Sequence, residues 1–363
     1  MCIRDSLLSG LWATTTAHAG LTVASVFSDH AVLQRGMPVP VWGTADPGAQ
    51  VTVKFGEQTK MVAAGQDGAW RLKLDPLTAG GPGAMAISAE GETPIAINDV
   101  LVGEVWVGSG QSNMAGGAGG YAKRDATLAK VIAGAPYPKI RLLKGGPKPT
   151  WVEATPQTVP GFSAILFAFG ERLHRDLDVP VGLIVGAVGG TPSGSWLSQD
   201  AFDRSKECKA VVAELAKSYD EEKARKSHEA KLAAWKSQTE AAKSEGKKPR
   251  GRQPQPPKGP GECTRGTIGN LYEKFIRSVV GYGIRGVLWD QGESGTAVVW
   301  VDQYTLMGAL ISGWRSEWGQ GDFPFVYLQK NSGGGVAFDP ANPITRECDK
   351  YTQPPARIPD LTD

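Results

Sequence analysis

Two hydropathy patterns divide this chain. Over residues 21–100, apolar and polar positions alternate in short runs. Val51, Val53 and Phe55 form one such run, and Trp70, Leu72 and Leu74 another. A period of two is the mark of strands with one buried face. Asp46-Pro47-Gly48 and Asp67-Gly68 supply turns between them. The pattern predicts a small antiparallel β-sandwich over 20–100.

From about residue 100 the apolar runs become continuous: "VLVGEVWV", "KIRLL", "VGLIVGAV", "IRGVLW" and "FPFVYLQ". Stretches with helical spacing separate them. In "SAILFAFGERLHRDL" the residues Ile165, Leu166, Phe169, Leu173 and Leu177 share one face. "NLYEKFIRSVV" and "DQYTLMGALISGWRSEW" also read as helices. Apolar strands alternating with amphipathic helices predict an α/β fold, a doubly wound parallel sheet covered on both faces. Its ligands bind beyond the carboxyl ends of the strands. Three polar turns follow such ends: "GSGQSN" after "VWV", "GGTPSGSW" after the strand at 181–187, and "DQGES" after that at 284–289.

Residues 203–262 break the pattern. They hold 15 lysines and arginines against 10 acidic residues, in a helix-prone stretch followed by the Pro-rich "GKKPRGRQPQPPKGPGE". A solvated insertion is favoured over a lid or a polymer-binding arm. The strand-and-helix pattern spans 101–331, and 332–363 form a tail without long apolar periodicity.

The formal charge of +2 gives no case for nucleic acid, and no apolar run is long enough to span a bilayer. "LLSGLWATTTAHAG" has the apolar core of a signal peptide, with Ala17-His18-Ala19 as its cleavage site. Residues 1–19 are therefore read as a leader. Its first six residues, "MCIRDS", can be encoded by the end of a transposon used to tag sequencing libraries, and are read as an artefact. The mature chain is expected to begin near Gly20, in a secreted or periplasmic protein. Cys208 and Cys263 flank the insertion and would be the pair if a disulfide formed; free thiols are the equal alternative.

The chemistry centres on Ser112. It sits at a sharp turn, where a following helix would aim backbone N–H groups at a ligand. Gly189 and Gly190 allow close backbone approach, and Gln291 offers a side-chain amide. A serine beside two or three such donors suits oxyanion stabilisation in acyl transfer. Two rivals stand beside this. Ser112 could merely cap a helix. Gly108-x-Gly110-x-x-Asn113 could be a partial dinucleotide fingerprint.

The combination of "SDHAVLQRGMPVPVWGTADPGAQVTV", "GSGQSNM", "GFSAILFAFGERLHRDLDVPVGLI", "GGTPSGSW" and "GVLWDQGES", in that order, resembles the sialate O-acetylesterase-like carbohydrate esterases of the SGNH hydrolase superfamily. The resemblance runs from about 23 to 331, apart from the insertion. It implies a secreted enzyme that removes O-acetyl groups from carbohydrates such as sialic acid or plant and algal polysaccharides. It implies no cofactor, no metal, and no nucleic-acid or membrane partner. Ser112 maps to the nucleophile, and Gly189 or Gly190 to an oxyanion N–H. Gln291 maps to the side-chain donor and Glu293 to a supporting acid. Gln111 and Asn113 are expected to hold the turn. Two positions depart from the family pattern. Ala115 replaces a common acidic residue, and Gly295 stands where Asn or Asp is frequent.

The family takes its general base from a late Asp-x-x-His block, and this sequence has none. His30, His174 and His228 are the histidines after the leader. His30 reads as structural, His174 as a helix-surface residue, and His228 lies in the insertion. "PDLTD" at the end places Asp363 where the histidine would stand. The expectation is a C-terminally truncated chain, nearly inactive for want of its base. The rival reading is a non-catalytic glycan-binding protein on the same scaffold, its 11 tryptophans supplying some stacking surface. A lipase-like esterase is the third.

Overall fold

The computed structural model describes residues 20–248, 251–291 and 294–328. The first part supplies β1 (Thr22–Val23), β2 (Val32–Gln34), β3 (Val39–Thr44), β4 (Gln50–Phe55), β5 (Gln58–Ala63), β6 (Ala69–Leu74) and β7 (Gly80–Ala89). β8 (Ile95–Gly110) follows. Then come α1 (Ser112–Ala115), α2 (Ala118–Tyr121), α3 (Ala126–Ala133), β9 (Tyr137–Lys144), β10 (Trp151–Ala154), α4 (Ala164–Leu177) and β11 (Val181–Ala187). The remainder is α5 (Gln199–Arg204), α6 (Lys206–Ala216), α7 (Glu221–Ser244), α8 (Asn270–Phe275), β12 (Gly286–Asp290), α9 (Gln303–Trp318) and β13 (Phe325–Tyr327).

The alternation read from the first hundred residues appears directly as burial. β6 buries Trp70, Leu72 and Leu74 and exposes the residues between them. β4 likewise buries Val51, Val53 and Phe55. β1, β3 and β6 make one antiparallel sheet. β5, β4 and β7 make another that continues into β8.

β8 joins the two halves of the molecule. Its first part pairs with β7 antiparallel and with β2 in parallel. From Glu104 onward it pairs in parallel with β11 on one side, and from Trp106 with β12 on the other. The change of pattern near residue 100 thus falls within one strand, at the point where Asp99 takes a left-handed φ of +52° and the pairing with β7 shifts register. An ionic knot marks the junction. Glu104, buried, takes hydrogen bonds from Arg35 Nε (2.6 Å) and from Arg285 Nε (2.8 Å) and Nη2 (3.1 Å).

Five parallel strands lie in the order β9-β11-β8-β12-β13, with β10 antiparallel at the β9 edge. Their side chains alternate between two cores, as parallel strands covered on both faces require. Val105, Val107, Ile184, Val287 and Trp289 face the core made with α5, α6, α8 and α9. Leu142, Leu183 and Leu288 face the one made with α2, α3 and α4. The coarse expectation of an α/β molecule with a mostly parallel sheet is met.

Two local expectations need correction, and one choice left open by the sequence is answered. On α4 the buried face is centred on Leu166, Phe167 and Gly170, while Leu177 is exposed at the helix end. A methyl group on Gly170 would come within 2.5 Å of the Leu183 side chain, so this glycine sets how closely α4 approaches β11. "NLYEKFIRSVV" is helical only over Asn270–Phe275, then tightens into a short turn at Arg277–Val279. The β-branched Ile276, Val279 and Val280 do little to prolong a helix. Cys208 is buried and free, and Cys263 is also free; burial pushes the Cys208 thiol upward.

α7 buries none of its residues fully. Asp220 caps its start by accepting from Lys223 N–H, and Arg225–Glu229 and Lys226–Glu222 pairs line its surface. No helix among the described residues is long and apolar enough to cross a membrane.

Candidate active site

The strand order explains why three turns meet. β8 lies between β11 and β12, so the segments after Gly110, Ala187 and Asp290 leave the sheet side by side. Gly110 allows the closest approach. Its φ is +125°, and a methyl group there would lie 2.1 Å from the Asp290 carbonyl oxygen. The chain turns at once: Gln111 N–H donates to Asp290 O (2.8 Å) and Val188 N–H to Gly110 O (3.2 Å).

Ser112 then opens α1, a single turn capped by Gln111 without a side-chain hydrogen bond. Ser112 is exposed and is not the cap, which removes the capping rival. Buried Met114 anchors the turn from below, against the second core. Gly189 lies beside the serine: a methyl group on Gly189 would sit 3.6 Å from Ser112 Cβ. Gly190 follows with a left-handed φ of +70° and open space around it. Thr191 fixes this loop, since its hydroxyl donates to Val188 O (2.7 Å) and accepts from Trp196 Nε1 (3.1 Å).

Gln111 is buried, and its Oε1 accepts from the Ser294 hydroxyl (2.8 Å), so it does brace the turn. The half-buried Asn113 makes no side-chain hydrogen bond among the described residues. Gln291 is also buried, but both of its N–H groups are committed. They donate to Thr191 O (3.3 Å) and Gly295 O (3.2 Å), while its Oε1 accepts from Gln303 Nε2 (3.2 Å). Gln303 in turn accepts from the Ser193 hydroxyl (3.0 Å). In this arrangement Gln291 ties the two glycine-bearing loops together. Glu293 lies outside the described residues. Gly295 has a φ of +62°, a region that Asn and Asp also tolerate, so that departure from the family keeps the backbone geometry.

Ser294, Gln303 and Ser193 went unassigned in the sequence reading. Hydroxyls and amides at strand ends and on the first turn of a helix look alike in sequence whether or not they converge. "GGTPSGSW" and the start of "DQYTLMGALISGWRSEW" carried the only signal.

The histidines lie elsewhere. His30 Nδ1 pairs with Asp99 Oδ2 at 2.6 Å, and Arg141 Nη2 shares that oxygen at 2.6 Å. The pair imitates a base with its orienting acid. It stands toward the other end of β8, about 35 Å of strand before Gly110 at roughly 3.3 Å per residue. His30, Asp99 and Glu153 also cluster as cation ligands might, but Arg141 already neutralises both carboxylates, with Nη1 at 3.2 Å from Glu153. His174 Nδ1 meets Val179 O (2.7 Å) at the end of α4, before β11 begins at Val181, at the amino-terminal ends of the parallel strands and away from Gly110. His228 lies on α7.

A serine at the end of the central strand, backed by a glycine turn, has the layout of an acyl-transfer site. The family model described as carbohydrate esterase, sialic acid-specific acetylesterase, matches residues 102–231. The sialate O-acetylesterases of Homo sapiens and Pongo abelii are each 27% identical over 359 residues, covering 89% of this chain and 59% of theirs. That of Rattus norvegicus is 28% identical over 352 residues, covering 87% and 61%. The chain thus spans about three-fifths of the length of these curated relatives. The crystal structure of XAC1771, a carbohydrate acetylesterase from Xanthomonas citri, superposes with a TM-score of 0.60 at 24% identity. It covers 84% of this chain and 59% of that one, and supports the fold. The resemblance to the sialate O-acetylesterases read from the sequence is borne out: this chain is similar to these carbohydrate esterases over most of its length.

Proposed function

We propose that this chain carries the nucleophile and oxyanion site of a serine esterase that removes O-acetyl groups from carbohydrates. The carrying observation is the placement of Gly189 beside Ser112 at the end of β8, one methyl group short of contact. In this reading Ser112 Oγ attacks the acetyl carbonyl. The developing oxyanion is held by the Ser112 N–H and the N–H of Gly189 or Gly190. The alkoxide of the sugar leaves with a proton, and water then releases acetate from the acetyl-enzyme. Gln291 joins as a third donor once an N–H turns from its carbonyl, and Glu293 supports the loop.

The SGNH type of the sheet, the sandwich organisation of residues 20–100 and export of the protein belong to the same reading. So does the fate of the proton. His30 and His174 are remote, so the reading assigns the base to a group outside the described residues, and turnover by this chain alone is slow.

The test is acetate release from an O-acetylated sugar, with and without added imidazole as a surrogate base, beside Ser112→Ala. The reading expects release that depends on Ser112 and rises with imidazole. Binding of the glycan with no Ser112-dependent release at any imidazole concentration would favour the non-catalytic glycan-binding alternative.

A further inference from the structure

The insertion does not end in solvent. Its last residues run antiparallel to the loop after β12: Gly261 N–H donates to Val299 O (3.1 Å), Val299 N–H to Glu262 O (2.9 Å), and Thr264 N–H to Ala297 O (2.7 Å). Arg265 extends back to the glycine turn, its Nη1 3.5 Å from Gly190 O. At its other end the same loop holds Ser294 on Gln111, beside the nucleophile. One short loop therefore connects the insertion to the Ser112 turn.

Trp300 stands on that loop. Its indole is 51% exposed although it is among the largest apolar side chains in the molecule. Its backbone is left-handed, with φ of +61°, and Ala297 in the same loop has φ of +54°. Neither is a residue that adopts this region without cost, and such strain gathers at binding sites. Tyr219, between α6 and α7, braces the indole edge to face, with ring centres 5.7 Å apart and planes at 75°. An aromatic pair packed for stability alone would be buried. This one is held outward, with the exposed polar side chains of Glu262, Thr264 and Arg265 nearby. An open indole face edged by hydrogen-bonding groups suits the apolar C–H face of a pyranose ring and its surrounding hydroxyls.

We propose that Trp300, braced by Tyr219, is a sugar-stacking subsite on the loop that reaches the Ser112 turn through Ser294, and that the site takes an acetylated oligosaccharide in preference to a single acetylated sugar. The subsite holds a ring next to the one that bears the acetyl group. The proposal rests on the esterase reading for its choice of substrate. Its test is a binding measurement, so the two fail separately.

The experiment is calorimetric titration of the Ser112→Ala chain with O-acetylated xylo- and manno-oligosaccharides, an O-acetylated sialyl-oligosaccharide, and the matching acetylated monosaccharides. At least one oligosaccharide is expected to bind more tightly than its monosaccharide. Adding Trp300→Ala is expected to weaken that binding roughly tenfold and remove the advantage of length, and Trp300→Phe to restore most of it. Tyr219→Ala is expected to give a smaller loss. Equal affinity for oligosaccharide and monosaccharide, no binding of any of these glycans, or an advantage of length that survives Trp300→Ala in a folded protein would overturn the proposal. Absence of Ser112-dependent acetate release from the wild-type chain at any imidazole concentration, with the length effect intact, would overturn the esterase reading alone.

Discussion

Gly189 and Ser112 face each other across the gap between two strand ends: a methyl group on the glycine would sit 3.6 Å from the serine Cβ and 3.7 Å from its Cα. That spacing is ordinary van der Waals contact, so Gly189→Ala fits. Gly189→Val carries two further carbons toward the space where an acetyl carbonyl would sit. Gly189→Val is expected to keep its melting temperature and to lower the rate of Ser112 acylation at least about tenfold, with Gly189→Ala in between. The check is acylation rate against thermal melts for both variants.

The bond from Ser294 to Gln111 ties the nucleophile's turn to the β12 loop at a buried position. Ser294→Ala removes a donor from a buried amide oxygen. It is expected to cost about 1–3 kcal/mol of stability. Because Gln111 precedes Ser112, acylation should slow as well. Urea unfolding and acylation of the same preparation measure both.

The remote His–Asp pair gives a discriminating prediction. His30→Ala and His174→Ala are expected to leave Ser112 acylation within a factor of about two, whereas loss of a true base costs about 10⁶-fold. His228→Ala is expected to behave as the other two. A large loss in any one of them would identify the base and revise the account.

Glu104 couples the two halves of the molecule to pH. Burial pushes its carboxyl up, but the hydrogen bonds from Arg285 and Arg35, with their charges, outweigh burial and hold it below the ordinary carboxylate range. A carboxyl depressed in the folded state stabilises above its unfolded pKa, near 4.3, and that contribution is lost as pH falls through the folded value. Glu104→Gln leaves two arginines without their buried partner and is expected to cost about 3 kcal/mol near neutral pH. It should also flatten the acid limb of stability. Urea midpoints at about pH 7 and about pH 3 for both proteins test this, since the gap between them should narrow in acid.

Much of the framework was legible because burial leaves a period in sequence. β6 and β4 alternate as their residues do, and β11 occupies Val181–Ala187, the strand span read from its apolar run. Ser112, Gly189 and Gln291 were legible as residues at strand ends, and the strand order brings those ends together. Other features leave no such period. β8 changes from half-buried alternation at Ile95–Asp99 to burial over Val100–Val105 within one strand, where Asp99 takes a φ of +52° and the pairing with β7 shifts register, a backbone feature that hydropathy does not encode. Gln291 has the amide expected of an oxyanion donor, yet both its N–H groups face carbonyls. Which partner an amide chooses depends on Gln303 and Thr191, which are distant in sequence. The Tyr219–Trp300 pair joins an insertion to a loop eighty residues on, and no local pattern announces it.

The most direct test of Ser112 as the nucleophile is the mass of the protein after brief exposure to 4-nitrophenyl acetate, followed by peptide mapping. On the reading that assigns the base to a group outside the described residues, an acetyl group placed on Ser112 persists. The account predicts one acetyl group on Ser112, formed faster with imidazole and absent from Ser112→Ala. An unmodified Ser112, or acetylation only at lysines and equal in the two proteins, would contradict it.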